Sequence, residues 1–318
     1  MKIVITGASG FLGSWLCRVL TEYFEVTALV RPTSDLFRLS GINNLQIMPR
    51  DTLEWKGFIS EAKPDTLILA DWWGVGNRDR NDKKQFENVV RMSTLATVAR
   101  DSGVKTIIGV GSQAELGPIS NLISEDLPDN PTTEYGIAKS DARKKLTEIL
   151  KSSDARLVWM RIFSTYGPLD TGNWLIPQTV DSLLRGEVMK LTKGEQEWSY
   201  LHAFDLAKAF QIVLENSSIE GVVNVGNPNT INLKEAIVEI AHNLEGQQLL
   251  EFGAVEYRPD QVMKLKPLCE KLSQAGWSPE VTFKDGIAQT IAWLKREPSN
   301  QLKMISGDTT NFNLPLRP

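Results

Sequence analysis

The sequence predicts an α/β protein built on a parallel, doubly wound sheet, with a smaller lobe in its C-terminal half. Up to about Arg161, short apolar runs alternate with longer helical patterns, which is the order that gives a parallel sheet with helices on both faces. The runs are almost entirely apolar, as strands covered on both faces should be. A glycine-rich turn, TGASGFLG, directly follows the first run.

The individual elements follow from this alternation. Strands are predicted in KIVIT, EVTAL, LQIM, DTLILA, KTIIGVG and ARLVWMRI. Helices are predicted in FLGSWLCRVLTEY and in QFENVVRMSTLATVARDSG, which Gly103 should end. Further along, a strand is predicted in VVNVG, and helices are predicted in IPQTVDSLLRG, LKEAIVEIAHNL and FKDGIAQTIAWLKR.

Composition excludes several classes of function. A net charge of −4 is a poor match to a nucleic-acid-binding domain. Cys17 and Cys269 form no C-x-x-C pair, and the chain has 2 histidines, so we expect neither a disulfide framework nor a metal site. The start MKIVIT meets Gly7 almost at once, and no apolar stretch approaches the ~20 residues of a membrane span. We therefore expect a cytoplasmic protein without a membrane segment.

The turn TGASGFLG predicts a dinucleotide site. Its three glycines have the spacing G-x-x-G-x-x-G between a strand and a helix, where backbone N–H groups can approach a pyrophosphate. The alternative is a glycine-rich turn without a ligand. The cofactor-binding residues expected in this turn are Gly7, Ser9, Gly10, Phe11, Leu12 and Gly13.

The identity of the dinucleotide depends on the end of the second strand, ALVRPTSD. An NAD site usually has Asp or Glu there, whereas this chain has Arg31 and no acid before Asp35. Because a guanidinium suits a 2′-phosphate, we expect NADP(H), with NAD as the alternative. Arg38 could add positive charge, and Asp51, after the third strand, completes the expected cofactor set. A solvated arginine at a strand end is the plain alternative for Arg31.

A candidate catalytic set comes next in the chain. Tyr135 and Lys139 in EYGIAKS share one helical face. A nearby ammonium, helped by an oxidised nicotinamide, should lower the phenol's pKa, so that Tyr135 can protonate a carbonyl oxygen as hydride reaches the carbon. Lys139 could also hold the nicotinamide ribose, and Ser112, after the fifth strand, could orient the same oxygen. A Tyr-x-x-x-Lys pair alone is common on helices. The prediction rests on the order of the glycine-rich turn, Ser112, Tyr135 and Lys139 along the chain.

These motifs, together with MRIFSTYGP, LTKGEQEWSYLHAFDLAKA, VNVGNP and AGWSP, resemble the extended short-chain dehydrogenase/reductase superfamily. The resemblance covers about Met1 to Arg296 and points to its NAD(P)-dependent nucleotide-sugar epimerases, dehydratases and reductases. It implies a Rossmann fold, catalytic roles for Ser112, Tyr135 and Lys139, and a nucleotide-diphosphate sugar as substrate. It also implies a homodimer through the helices around Val89 and Lys144, with a monomer as the alternative.

The expected domain boundaries follow from the order of the predicted elements and from the polar composition of the last stretch. Residues 1–165 should form the NAD(P)-binding domain, and residues 202–228 should return to it. Residues 166–201 and 229–296 should form the substrate-binding lobe, and residues 297–318 a tail.

Within the branch, the residues after Ser112 distinguish the reactions. Sugar 4,6-dehydratases carry an Asp-Glu pair there; this chain has Gln113 and Ala114, and Glu115 comes one place late. The C-terminal half resembles NDP-4-keto-6-deoxyhexose 4-reductases of the CDP-abequose synthase type. We therefore expect NADPH-dependent reduction of a C4 ketone in deoxysugar biosynthesis. The alternatives are an NAD-dependent nucleotide-sugar 4-epimerase and a non-catalytic nucleotide sensor or scaffold.

The expected substrate-binding residues are Ser112, Gln113, Asn173, Trp198 and Arg258. Trp198 and Ser199 depart from relatives that have an arginine for the phosphate in this motif. Trp72 and Trp73 replace a small-residue motif and could line the active site or simply pack in the core. Asn88 and Asp205 match family positions, and His202 follows the strand-like WSYL; we expect structural roles for all three.

Overall fold

The protein is described by a computed structural model that covers residues 1–119, 122–257 and 261–295. The strands are β1 (Lys2–Thr6), β2 (Glu25–Val30), β3 (Leu45–Pro49), β4 (Thr66–Leu69), β5 (Thr106–Ser112), β6 (Leu122–Ile123), β7 (Arg156–Ile162), β8 (Ser164–Tyr166), β9 (Met189–Leu191), β10 (Glu197–Trp198), β11 (Tyr200–His202), β12 (Gly221–Val225), β13 (Ile231–Asn232), β14 (Leu250–Phe252) and β15 (Lys266–Pro267). The helices are α1 (Phe11–Leu20), α2 (Trp55–Ala62), α3 (Gln85–Asp101), α4 (Glu134–Leu150), α5 (Leu175–Leu184), α6 (Ala203–Glu215), α7 (Leu233–His242), α8 (Glu270–Gln274) and α9 (Phe283–Leu294).

Seven strands form one parallel sheet in the order β12-β7-β5-β4-β1-β2-β3. This confirms the doubly wound parallel sheet predicted from the sequence. The chain starts at β1 and winds first towards β3 and then, from β4, towards β12. The direction of winding therefore reverses between β1 and β4, and ligands of such sheets gather at the carboxyl ends of the strands beside this point.

Helices cover both faces of the sheet. On one face, α1 and α6 pack on a core that includes alternate residues of β1, β2, β7 and β12. On the other face, α2, α3 and α4 pack on the intervening residues of the strands. This double coverage is why most strands read as continuous apolar runs.

The third strand differs from that expectation. β3 lies at the edge of the sheet, and Gln46, Ile47 and Pro49 are exposed. An edge strand has a partner on one side only, and few helical residues reach it. The short helix α2, which follows β3, was not predicted from the sequence. The end of α3 agrees with the sequence, since Gly103 has φ +80° directly after the helix.

The second part of the chain forms a smaller layer beside the sheet. α5, α7 and α9 share an apolar cluster that includes Val180, Ile240 and Ile287. Around it lie the strand pairs β9–β14 and β10–β13, while β8 and β11 pair in parallel next to the main sheet. The division into a cofactor domain and a substrate lobe at the stated boundaries remains a prediction.

The first glycine of the turn after β1 is required by its surroundings. Gly7 has φ +68°, and a Cβ atom placed there would lie 2.6 Å from the backbone of Ala70 and Asp71 at the end of β4. An added Cβ on Gly13 would overlap the Gly7 carbonyl oxygen. These glycines therefore allow the turn and α1 to approach the sheet closely.

We expect Gly7→Ala to lower the free energy of unfolding by about 2 kcal/mol or more, because it combines a strained φ with a backbone overlap. The matched control is Gly57→Ala in α2, where an added Cβ meets nothing within 4 Å. That change should be neutral or stabilise the protein by about 0.5–1 kcal/mol. Urea unfolding of the two variants measures the difference, and equal effects would contradict this account of the turn.

Candidate active site

The candidate site lies at the carboxyl ends of β1, β4 and β5, where the sheet reverses its winding. Ser112 ends β5 and begins a short 3-10 helix, Gln113–Leu116. Its hydroxyl accepts a hydrogen bond from the Ala114 N–H at 3.2 Å, and its own N–H donates to Glu115 Oε1 at 2.7 Å. This reciprocal pair is a capping box, and it holds Ser112 in one position.

Tyr135 and Lys139 come from the first turns of α4. The helix begins after Thr133, whose hydroxyl accepts a hydrogen bond from the Gly136 N–H at 3.1 Å. Tyr135 is 7% exposed and Lys139 3% exposed. The side chain of Ser112 lies close enough to the phenol of Tyr135 to act on its pKa. The structure therefore brings the three predicted catalytic residues together, although their catalytic roles remain a proposal.

The buried ammonium of Lys139 is held by two neighbours. Its Nζ donates to the Val110 carbonyl oxygen at 2.7 Å and lies 3.6 Å from the centre of the Trp72 ring. Burial nevertheless lowers the pKa of Lys139 to about 7, because it penalises the charged form, while the charges of Glu115 and Asp71 act in the opposite direction. Lys139 can therefore change its charge near neutral pH.

The electrostatics of Tyr135 differ from the expectation drawn from the sequence. Burial raises the pKa of its phenol, and the Ser112 side chain and the charge of Arg80 act in the opposite direction. The cation that acts on the phenol in this protein is thus Arg80, whereas we expected Lys139. The reason is geometric: the Lys139 ammonium points to Val110 and Trp72, 5.8 Å from the centre of the phenol ring.

Arg80 was missed by the sequence analysis. It lies in the loop between β4 and α3, its carbonyl oxygen accepts the Tyr135 N–H at 2.8 Å, and its guanidinium is 5.3 Å from the centre of the Tyr135 ring. The surrounding sequence, GNRDRNDKK, is rich in charged residues, so no pattern distinguishes this arginine from its neighbours.

Trp72 forms a wall of the site. Its ring meets the Tyr135 ring edge-on at 6.1 Å, and its indole N–H donates to Gln85 at 2.7 Å. Trp72 also packs against the core, so both roles considered from the sequence apply to it. Asn88 is fully buried and exchanges hydrogen bonds with the Trp73 backbone, so the structural role expected for it is confirmed.

The glycine-rich turn fits a dinucleotide pyrophosphate. Gly10 is the N-cap of α1 and no side chain caps this end, which leaves the first N–H groups of the helix available to an anion. Gly7, Ser9, Phe11, Leu12 and Gly13 lie in or directly after this turn, as the sequence predicted. Their binding roles remain a proposal.

The polar residues expected around the cofactor have different surroundings. Arg31 and Asp51 are exposed after β2 and β3. Arg38, by contrast, donates to the Leu169 carbonyl oxygen at 3.0 Å and to the Thr171 hydroxyl at 2.6 Å. Its guanidinium therefore holds the loop before α5, and its contribution of positive charge to the cofactor site stays a prediction. Asp71, which follows β4, accepts from Thr6 at 2.5 Å and pairs with Arg91 at 2.6 Å.

The expected substrate-binding residues are spread over several loops. Gln113 follows Ser112, and its Oε1 atom is buried without a hydrogen-bond partner among the described residues. Asn173 is exposed just before α5. Trp198 is half-buried, and its indole N–H donates to the Ser164 hydroxyl at 2.6 Å. Arg258 lies outside the described residues.

The structural roles expected of two further residues are confirmed. Asp205 accepts hydrogen bonds from the Glu280 and Val281 N–H groups at 2.9 and 3.1 Å. His202 is buried, and its Nδ1 atom accepts the Phe204 N–H at the start of α6. Burial lowers the pKa of His202 to about 4, so it is neutral near pH 7.

No group of three or more His, Cys, Asp or Glu side chains suited to a metal ion occurs within residues 1–119, 122–257 and 261–295. Over the same part of the chain, no helix combines the length and the apolar character that crossing a bilayer requires.

Comparison with known proteins identifies the family. The model of the NAD dependent epimerase/dehydratase family matches residues 3–226. The chain therefore belongs to this family, which lies within the extended short-chain dehydrogenases/reductases. The predicted superfamily is thus confirmed, and the assignment to the 4-reductases stays a prediction.

Individual relatives are distant. A dTDP-D-glucose 4,6-dehydratase from Dictyostelium discoideum is 24% identical over 377 residues, which covers 98% of this chain and 86% of the relative. A UDP-glucose 4-epimerase from Corynebacterium glutamicum is 23% identical over 312 residues, which covers 89% of this chain and 92% of the relative.

Solved structures confirm the fold. The structure of a dTDP-glucose 4,6-dehydratase from Streptomyces venezuelae with NAD bound matches with a TM-score of 0.84 at 21% identity, over 96% of this chain and 100% of that one. A UDP-glucose 4-epimerase from Thermus thermophilus in complex with NAD matches with a TM-score of 0.82 at 20% identity, over 93% and 99% of the two chains.

The burial of Lys139 predicts a dependence of stability on pH. Because its pKa is lowered in the folded protein, the unfolded chain binds this proton more tightly, and stability should rise as pH increases above about 7. Relative to Lys139→Met, the wild type should gain at most about 2 kcal/mol in unfolding free energy between pH 7.5 and 9. Urea unfolding at both values measures this gain.

The matched control is Lys144→Met, which removes an exposed lysine from the same helix. The difference in unfolding free energy between Lys144→Met and the wild type should stay constant between about pH 7.5 and 9. A constant difference for Lys139→Met as well would show that the ammonium is not desolvated.

Proposed function

We propose that the protein transfers hydride at C4 of a nucleotide-diphosphate sugar, and that its reaction is NADPH-dependent reduction of the C4 ketone of a 4-keto-6-deoxyhexose. The observation that carries the proposal is the meeting of Ser112, Tyr135 and Lys139 at the carboxyl edge of the sheet, beside the glycine-rich turn. This edge is where open α/β sheets bind their ligands.

Each residue has a distinct part in this reaction. The Ser112 hydroxyl orients the ketone oxygen, and the Tyr135 phenol donates its proton to that oxygen. The ammonium of Lys139 holds the nicotinamide ribose, while the charge of Arg80 opposes the loss of acidity that burial imposes on the phenol. When bound, NADPH supplies the hydride that adds to C4. Hydride on the carbon and a proton on the oxygen together convert the ketone to a secondary alcohol.

The surroundings of Ser112 argue against sugar 4,6-dehydration. The elimination of water in those relatives uses an Asp-Glu pair directly after the catalytic hydroxyl residue, and Gln113 and Ala114 occupy these positions. The nearest acid, Glu115, is fully buried and bonded to the Ser112 N–H and to the indole of Trp159. Because its carboxylate is engaged by these donors, Glu115 does not supply the acid or base that the elimination requires.

An NAD-dependent nucleotide-sugar 4-epimerase is the second candidate. Several of the similar proteins are named as 4-epimerases, and one of these was solved in complex with NAD. The same three residues could remove and return a hydride at C4. Arg31 favours the reductase, because an exposed guanidinium after β2 suits the 2′-phosphate of NADP(H), which a reductase releases at each turnover.

The homodimer through α3 and α4 also remains a proposal. The two helices pack side by side on one face of the sheet. Val89 faces the core, whereas the adjacent Val90 is 63% exposed. A second copy of the chain could cover this outer surface.

Tyr135→Phe tests the chemistry directly. With NADPH and a panel of NDP-4-keto-6-deoxyhexoses, the wild type should consume the reduced-nicotinamide absorbance. The variant should lose roughly 10²- to 10⁴-fold in kcat because it lacks the proton donor, while it keeps its affinity for the cofactor. No oxidation of NADPH with any ketosugar would rule out the reductase.

Incubation without added cofactor separates the two candidates. An epimerase that retains NAD should interconvert UDP-glucose and UDP-galactose as purified, whereas a reductase should leave both unchanged.

Arg31→Ala tests the choice of cofactor. If Arg31 binds the 2′-phosphate, the variant should bind NADP⁺ about tenfold more weakly, through the loss of a charge-assisted hydrogen bond. Its affinity for NAD⁺ should not change, and this serves as the internal control. Titration calorimetry with both dinucleotides measures the ratio, and an equal effect on the two would exclude this role.

A further inference from the structure

Behind the proposed catalytic residues lies a buried network of four charged side chains. Glu115 follows Ser112 in the 3-10 helix, Arg161 lies in β7, Asp129 lies in the loop before α4, and Arg143 lies in α4. The two carboxylates and two guanidinium groups balance in charge. Glu115 and Arg161 are 0% and 1% exposed.

Glu115 is the member of this network that contacts the proposed active site. Its Oε1 atom accepts the Ser112 N–H at 2.7 Å, and the indole N–H of Trp159 donates to both carboxylate oxygens at 3.0 and 3.1 Å. On the far side, Arg161 Nε lies 3.5 Å from Oε2. The carboxylate is thus fixed by donors from two adjacent strands.

The neighbouring strand is shaped to admit this carboxylate. A Cβ atom on Gly111 would lie 2.6 Å from Glu115 Oε1, and one on Gly109 would overlap the Trp159 ring. A side chain at either position would displace the Glu115 carboxylate or its tryptophan partner. The two glycines of β5 therefore serve a specific packing arrangement.

The rest of the network holds α4. Asp129 accepts hydrogen bonds from the side chains of Ser140 and Arg143, and its other oxygen is 3.5 Å from Arg161 Nη2. Burial raises the pKa of Glu115, and the charge of Arg161 and the Ser112 N–H oppose this. The arginine therefore helps to keep the carboxylate ionised.

We propose that Glu115 is a positioning residue, whose carboxylate fixes the backbone of Ser112 and thereby aims the Ser112 hydroxyl at Tyr135. The kinetic consequence of this role rests on the hydride-transfer function proposed above. Its structural content, the orientation of Ser112, does not depend on that function.

Three variants distinguish a role of Glu115 in positioning Ser112 from a role in balancing the charge of Arg161. Glu115→Gln is nearly isosteric but places an NH₂ group among the donors Ser112 N–H, Trp159 and Arg161. Glu115→Asp keeps the charge but shortens the side chain by one methylene. Asp129→Asn is the matched control, because it removes the other buried carboxylate and leaves Ser112 untouched.

We expect both Glu115 variants to lose roughly 10- to 100-fold in kcat through misplacement of Ser112, with little change in the KM for the ketosugar. The kinetic isotope effect with 4-deuterated NADPH should increase as hydride transfer becomes slower. Asp129→Asn should keep a kcat close to that of the wild type. A kcat close to that of the wild type in Glu115→Asp would mean that Glu115 only balances the charge of Arg161. This result would overturn the proposal.

Crystal structures of the same three variants give a readout without turnover, and thermal melts establish which of them fold. Ser112 Oγ should move away from the Tyr135 phenol in Glu115→Asp and Glu115→Gln, and stay in place in Asp129→Asn. An unchanged Ser112 in either Glu115 variant would overturn the proposal. If the wild type turns over neither NADPH nor any nucleotide sugar, the proposed function fails, while the Ser112 geometry still decides the role of Glu115.

Discussion

The buried ammonium of Lys139 is the constraint around which the site is arranged. A cation removed from water must be compensated locally, and here the Val110 carbonyl oxygen and the face of Trp72 are its neighbours. Both neighbours belong to the carboxyl edge of the sheet, so the position of the lysine fixes α4 against β5. The same helix carries Tyr135, whose separation from Ser112 is therefore set by the burial of Lys139.

The Val110 carbonyl oxygen and the Trp72 ring compensate only part of the cost of burying the Lys139 ammonium. A fully paired lysine would keep its charge at all ordinary pH values, whereas burial brings the pKa of Lys139 to about 7. Enzymes commonly accept such a loss of stability in exchange for a reactive group. In the proposed reaction, the phenol and the ammonium are both desolvated, so their interactions with a ligand are stronger than they would be in water.

Much of the fold could be predicted from the sequence, because strands buried on both faces carry a continuous apolar signal. The edge strand β3 and the helix α2 lack that signal, since each is half exposed. The meeting of Ser112, Tyr135 and Lys139 could be predicted from their order and spacing. The contacts around the site could not be predicted: Arg38 reaches Leu169 across 131 positions, and Glu115 reaches Arg161 across 46. Contacts of such sequence separation leave no local pattern.

The position of β12 has a consequence for the biosynthesis of the chain. β7 can pair with its outer neighbour β12 only after residues 221–225 have been synthesised. The apolar face around α1 is covered only after α6 has been synthesised. While the ribosome still holds this later segment, the nascent chain exposes an unpaired strand edge together with an uncovered apolar surface. Such a stage is open to misassociation, because unpaired strand edges and uncovered apolar surfaces are the features through which partly folded chains associate.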